Sequence, residues 1–385
     1  MPKHSSRIEL SQSAVKNNIN FIRKKIGPDP IICCVVKANA YGHSTRQYIP
    51  MLEKAGVKYF ATASAFEAEE VYENASHDSR IMIMGILYDE DIDWAIENEI
   101  EFFVFNYDRF PLIVEKSKTI GKRAKVHLEV ETGSNRTGLP AKDFAKSVSF
   151  MKKHKAYIEF VGLCSHLGGA ESFSNMFKIE RQHKRFDEFL AELKRKNFMP
   201  EIRHLACSGA ALAYPDMLYD MVRIGVAQYG FWPSPDIYYK HLQDTGKLKD
   251  NPLQRIISWK TDVMDVRDVK KDEFIGYGTA YQATTDMKIA VLPLGYSNGY
   301  PRGASNRGHV LIHGKKAPIV GLINMNLFMV DITHIPDVAV GDEVVLVGRQ
   351  KNNVINIGSF TNSMQLLNNE MLSRLPHAIP RYVKR

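Results

Sequence analysis

Ile31-Ile-Cys-Cys-Val-Val36-Lys37 is an apolar run of strand length that ends abruptly on a charge. Its length and β-branched content suit a strand covered on both faces, as strands of a parallel sheet are. Comparable runs recur at 59–62, 80–84, 102–105, 125–130 and 158–163, with weaker ones at 203–206 and 221–224. Most are separated by amphipathic stretches of helical period, for example 13–25, 66–74 and 174–196. In Phe66-Glu-Ala-Glu-Glu-Val-Tyr72 the apolar residues recur at helical spacing and the acids are expected to face solvent. Repeated βα units imply right-handed crossovers, and eight of them imply a closed (β/α)8 barrel of the TIM type rather than an open Rossmann sheet, although counting alone does not separate the two. After Pro233-Ser-Pro235 the texture changes: 256–266, 289–294, 309–313, 317–322 and 328–332 read as strands joined by turns. Gly341-Asp-Glu-Val-Val-Leu-Val-Gly348 reads as a turn into one more strand, and no long helical pattern returns before 365–373. The expected organisation is a barrel over 10–240 and a mainly-β domain over 241–385, with 1–9 joined to the latter.

A chain of 385 residues with 44% hydrophobic and 24% charged residues is ordinary globular protein, which argues against disorder. No apolar run approaches a membrane span, and Met-Pro-Lys-His-Ser-Ser-Arg7 has no apolar core of a signal peptide behind its basic residues. A soluble, cytoplasmic protein is expected, with the periplasm as the alternative. The net charge of +8 is scattered, without a basic stripe interleaved with aromatics, so neither nucleic acid nor membrane is expected as a partner. Cys33, Cys34, Cys164 and Cys207 lie in or beside apolar runs with no CxxC pair, which reads as buried thiols in a reducing compartment. The 13 histidines include no HExxH and no paired-ligand spacing, so no metal is expected.

A lysine at the C-terminal end of the most apolar strand either clears the barrel rim or serves Schiff-base chemistry. Val35-Val-Lys37-Ala-Asn-Ala-Tyr41-Gly-His43 resembles the pyridoxal-phosphate lysine motif of the alanine racemase family. The resemblance continues through Glu131-Thr-Gly-Ser-Asn-Arg136-Thr-Gly138, Ser165-His166, Cys207-Ser208-Gly-Ala-Ala211 and Val222-Arg223-Ile-Gly225-Val226-Ala-Gln-Tyr-Gly230. Gly276-Tyr277-Gly278, Leu294-Gly295-Tyr296-Ser-Asn-Gly299-Tyr-Pro-Arg302 and Gly321-Leu-Ile-Asn-Met325-Asn326 follow in family order. It covers the chain from about Arg7 to Arg381.

The resemblance implies an amino-acid racemase that uses pyridoxal phosphate and works as a homodimer with shared active sites. Lys37 would bind the cofactor and act as the base on one face of Cα, and Tyr277 of the partner subunit as the base on the other. Tyr41, Ser208, Gly225 and Val226 would hold the phosphate, and Arg223 would face the ring nitrogen. His166, backed by Arg223, would assist Tyr277. Arg136 and the backbone N–H of Met325 of the partner subunit would receive the substrate carboxylate, Arg136 also meeting the cofactor's phenolic oxygen. Read without the resemblance, Tyr277 is a turn aromatic between glycines, Met325 a core residue and Ser208 a helix N-cap.

Four positions depart from the family pattern. Glu129 stands where many members carry a carbamylated lysine, and its carboxylate is expected to supply negative charge towards Arg136. Asn326 replaces an aspartate. His377 stands in place of a tyrosine that holds the phosphate and narrows the entrance, and Leu322 in place of an entrance arginine. The last two leave the substrate entrance less obstructed and less cationic, and Met325-Asn326 with the Leu375-Pro-His-Ala-Ile-Pro380 ending resembles the broad-specificity branch, which extends the expected substrates from alanine to serine, lysine, arginine and methionine. Two alternatives remain: a pyridoxal-phosphate decarboxylase of the same architecture, which favours an acid where Arg223 stands, and a non-catalytic pyridoxal-phosphate carrier.

Overall fold

The computed structural model of the chain describes residues 4–358 and 367–385, arranged as two compact units. One comprises residues 13–38 and 48–254; the other comprises 4–12, 39–47 and the described part of 255–385.

The first unit is the expected parallel barrel. Its strands, numbered here one to eight, are Ile31–Val35, Tyr59–Ser64, Arg80–Ile86, Glu101–Val104, Ala124–Glu129, Ile158–Cys164, Ile202–His204 and Met221–Ile224. Each pairs in parallel with its neighbours, and strand eight pairs with strand one, setting Arg223 opposite Cys33. The ring closes where the Asp220 N–H donates to the Arg203 carbonyl and the Arg223 N–H to the Ala206 carbonyl, both at 3.0 Å. Helix Gln12–Ile26 buries Val15, Ile19, Ile22 and Ile26 at helical spacing, so one stripe covers the strands. Helix Ala65–Asn74 differs from expectation: Phe66 is exposed, and the Glu67 side chain turns back onto backbone. The apolar repeat of this helix runs through Ala65, Ala68 and Val71 instead. The expected boundary at 240/241 falls inside helix Pro235–Thr245, which Ser234 caps and Gly246 ends in a left-handed conformation.

The second unit is mainly β. Its sheet runs Asp265–Val269, Met287–Leu292, Phe328–Asp331, Lys315–Val320, His309–Ile312, Glu343–Gln350, Ile257–Asp262, Ser6–Ser11 and Arg381–Lys384. The stretch expected as one strand, 256–266, is two. The chain breaks at Val263 and Met264, whose N–H groups donate to Asp342 and Val291, and the halves join different partners. Ser6–Ser11 lies between Ile257–Asp262 (antiparallel) and Arg381–Lys384 (parallel). Of the helix expected over 365–373, Asn368–Ser373 is helical, and residues 365 and 366 lie outside the described residues, as do 1–3 of the amino-terminal stretch. Among the described residues no helix is long and apolar enough to cross a membrane.

Candidate active site

Lys37 lies two residues beyond the end of strand one, after Val36, and its side chain is exposed. Two buried side chains fix the strand end before it: Gln228 Nε2 and the Tyr229 hydroxyl both donate to the Val35 carbonyl, at 3.0 and 3.1 Å. After Lys37 the backbone enters a left-handed turn, with φ of 53°, 52°, 52° and 52° at Ala38, Asn39, Ala40 and Tyr41. Each L-residue there costs about 1–2 kcal/mol, and consecutive non-glycine residues in this region mark stored strain. The Glu67 carboxylate opposes it, accepting the Ala38 N–H at 2.7 Å and the Ala63 N–H at 2.8 Å.

Arg223 is 5% exposed and meets no carboxylate within ion-pair distance among the described residues. Its Nη2 donates to the Ser165 carbonyl at 2.6 Å and, more weakly, to that of Leu205; its Nη1 reaches His204 Nδ1 at 2.5 Å and the His204 carbonyl at 3.2 Å. Its Nε–H has no partner among the described residues. His166 follows Ser165. Burial, then the charges of Arg223, Arg136 and Lys37, pushes its pKa down to about 3, so the imidazole is neutral. The three cations therefore lie within electrostatic reach of the His166 ring, although no hydrogen bond joins Arg223 to it among the described residues.

Arg136 is exposed on the loop after strand five. The Glu131 carboxylate shapes that loop by accepting the N–H groups of Gly133, Ser134 and Asn135. Glu129 is buried. Its Oε1 accepts from the Thr137 hydroxyl at 3.1 Å, Oε2 has no partner among the described residues, and burial raises its pKa despite Arg223 and Arg136 nearby. Glu129 thus meets Arg136 through space, not in an ion pair.

At the ends of strands seven and eight, Ser208 opens the helix Ser208–Ala213, whose N-cap is Cys207 and not Ser208. The Ser208 Oγ accepts the Gly225 N–H at 2.9 Å. The Gly225 donor is therefore spent on Ser208, which leaves the serine hydroxyl proton and the Val226 N–H as donors without a partner among the described residues.

The remaining expected residues belong to the second unit. Tyr41 ends the left-handed turn, and its carbonyl and that of Ala40 each lie 3.0 Å from His43 Nδ1. Burial pushes the His43 pKa down to about 4. His377 is exposed, and its carbonyl accepts from Arg381 Nη1 at 3.0 Å. Buried Arg381 also donates to the carbonyls of Pro376, Ile379 and Gly42, stapling the carboxy-terminal turn. Tyr277, between Gly276 and Gly278 at φ of +81° and +64°, is 70% exposed, and its hydroxyl has no partner among the described residues. Met325, which alone would read as core, is 55% exposed. Its carbonyl accepts from the Ser297 N–H and hydroxyl, while its own N–H has no partner among the described residues. Asn326 Nδ2 donates to the Ser297 hydroxyl at 2.8 Å.

Sequence reasoning missed Glu67, the Gln228 and Tyr229 brace and Arg381. Gln228 and Tyr229 lie inside a quoted motif, so polar residues there without a cofactor role were the available signal. Among the described residues no group of three or more His, Cys, Asp or Glu side chains is disposed to hold a metal.

Pyridoxal phosphate presents an aldehyde carbon, a phenolic oxygen, a ring nitrogen and a phosphate. An exposed strand-end amine, an exposed guanidinium at 136, the unspent Nε–H of Arg223, and the Ser208 and Val226 donors match these in kind. Fold and donor set together define a barrel enzyme of the pyridoxal-phosphate class.

The family description "Alanine racemase, N-terminal domain" matches residues 10–233, and "Alanine racemase, C-terminal domain" matches 256–383. An alanine racemase of Methanococcus maripaludis is 32% identical over 382 residues, covering 99% of each chain. One of Clostridium perfringens is 31% identical, covering 98% of this chain and 95% of its own. The crystal structure of alanine racemase from Streptomyces lavendulae superposes with a TM-score of 0.88 at 27% identity, covering 100% and 98%. The chain belongs to the alanine racemase family, whose members are isomerases that use pyridoxal phosphate.

Proposed function

We propose that this chain interconverts L- and D-alanine by moving the Cα proton between two bases, Lys37 on one face and Tyr277 of the partner subunit on the other. The observation that carries this reading is Arg223, buried, anchored through both terminal nitrogens, and left with one free N–H. When bound, pyridoxal phosphate withdraws electrons from Cα and makes its proton removable. Arg223 donates a hydrogen bond to the ring nitrogen but does not give up its proton near neutrality, which favours simple return of a proton to Cα. An acid would stand in its place in a decarboxylase of this architecture.

Lys37 holds the cofactor, and its amine takes or returns the Cα proton on its own face. Ser208 and Val226 donate to the phosphate, Gly225 fixes the Ser208 oxygen, and Tyr41 and His377 complete the phosphate contacts. Arg136 and the Met325 N–H receive the substrate carboxylate. Tyr277 acts on the opposite face, where the neutral His166 supplies an N–H to its phenolate. The exposure of Tyr277 and Met325 supports their service in a second copy, so the working form is a homodimer. Leu322 and His377 put neither arginine nor tyrosine at the entrance positions, which supports a range reaching serine, methionine, lysine and arginine.

The test is D-enantiomer formation by the purified, cofactor-loaded protein from single L-amino acids: alanine, serine, methionine, lysine, arginine and glutamate. Alanine turnover is expected with at least one of the longer substrates. Turnover confined to alanine and serine removes the open-entrance reading. No racemisation of any substrate, with the cofactor bound, returns the carrier or the decarboxylase.

A further inference from the structure

Arg223 stands at one end of an unbroken line of buried side chains. Its Nη1 lies 2.5 Å from His204 Nδ1, His204 Nε2 lies 2.9 Å from His127 Nδ1, and His127 Nε2 lies 2.6 Å from Glu101 Oε2. Glu101 Oε1 accepts from Arg80 Nε at 2.5 Å, and the Tyr59 hydroxyl also donates to Glu101. Both imidazoles are fully buried and Glu101 is 2% exposed. Glu101 and Arg80 are the first residues of strands four and three, so the line runs from the amino-terminal end of the barrel to the end that carries Lys37. His127 and His204 lie on strands five and seven, so their bond passes strand six across the barrel interior. Strand six leaves the room: a Cβ at Gly162 would sit 2.0 Å from His127 Nδ1.

The protons of this line have one consistent arrangement. A guanidinium only donates, so His204 Nδ1 accepts and the His204 proton sits on Nε2. That proton is donated to His127 Nδ1, which places the His127 proton on Nε2, facing the carboxylate. A proton on His127 Nδ1 would force the His204 proton onto Nδ1, against a guanidinium N–H at 2.5 Å.

We propose that Glu101, His127 and His204 are positioning residues for Arg223. They form a one-way line of hydrogen bonds, ending on a carboxylate at the far end of the barrel, that holds the guanidinium in one orientation with Nε–H free. The line also supplies the negative charge that Arg223 lacks among its direct contacts, since buried polar groups need satisfied partners. The effect on turnover rests on the role proposed above for Arg223; the proton arrangement does not.

The test is nitrogen NMR on the cofactor-free protein labelled with 15N-histidine, with His127→Asn and His204→Asn used for assignment. Both rings are expected as the Nε2–H tautomer. An Nδ1–H tautomer at either ring in the wild-type protein overturns the proposal, and no folded variant at position 101 is needed to see it. Glu101→Gln offers one oxygen where the carboxylate served His127 and Arg80 separately. It is expected to give mixed tautomers and, in the loaded enzyme, about a tenfold lower kcat with KM little changed. Unchanged histidine signals in Glu101→Gln also overturn the proposal. A lost tautomer preference with unchanged kcat leaves the line standing and removes the proposed role of Arg223.

Discussion

Glu67 shows how much one carboxylate can do beside a reactive residue without touching substrate. Its two oxygens separately accept the N–H of Ala63, on strand two, and of Ala38, the residue after Lys37. An amide at this position keeps one oxygen and turns donors towards the other N–H. Glu67→Gln is therefore expected to lower stability by about 1.5 kcal/mol, read from the urea midpoint, and to speed loss of cofactor on dialysis. A variant with wild-type midpoint and cofactor retention would show that the Lys37 backbone needs no such hold. The sequence did carry a signal here. Ser64-Ala-Phe-Glu67 has the S-x-x-E spacing of a capping box, and the Ser64 hydroxyl accepts the Glu67 N–H at 3.4 Å. Helical periodicity, which counts faces and ignores caps, turned the same glutamate outward. Lys37 stood out because it ends an apolar run, whereas Arg223 lies inside one, in Met221–Ile224, and was singled out by the family resemblance. The pairing of Glu101 with His127 and His204 was not legible, because strand register across a barrel cannot be read along the chain.

The element that follows strand one is the left-handed turn from Ala38 to Tyr41, continued by Gly42 at φ of +76°. Ala-Asn-Ala-Tyr contains no glycine, so nothing in these residues announces the conformation. Gly42 is a different matter: a Cβ there would lie 2.0 Å from the Leu372 carbonyl oxygen and 2.8 Å from its carbon. Both partners are backbone and cannot rotate away. Gly42→Ala is expected to cost about 4 kcal/mol, seen as a lowered thermal midpoint or lost soluble protein. A loss under about 1 kcal/mol would mean that the Leu372 segment yields readily. The barrel itself was legible because its strands are short apolar runs separated by amphipathic helices, a pattern that sterics and burial leave few ways to satisfy. The strands at Ser6–Ser11 and Arg381–Lys384 escaped notice because each is short, polar on alternate positions and paired only with residues far along the chain.

At the scale of the whole molecule, the proposed division of labour makes a prediction that no single chain can satisfy. Lys37→Ala and Tyr277→Phe proteins should each be nearly inactive. If the active site takes its lysine and tyrosine from different subunits, dissociating and remixing the two should restore about a quarter of wild-type activity, because half the dimers are mixed and each carries one intact site. No recovery after verified subunit exchange would place both bases on one chain or remove Tyr277 from the reaction. The sheet of the second unit has a consequence for biosynthesis. Ser6–Ser11 leaves the ribosome well before its partners, Ile257–Asp262 and Arg381–Lys384. At cellular elongation rates the strand waits about 10–50 s for the first of them, and longer for the second. For that interval its backbone edges are open, while the barrel segments between are already being made. The nascent chain should therefore depend on chaperones most while the barrel is complete and the second sheet is not, and slower translation over residues 255–385 would lengthen the hazard.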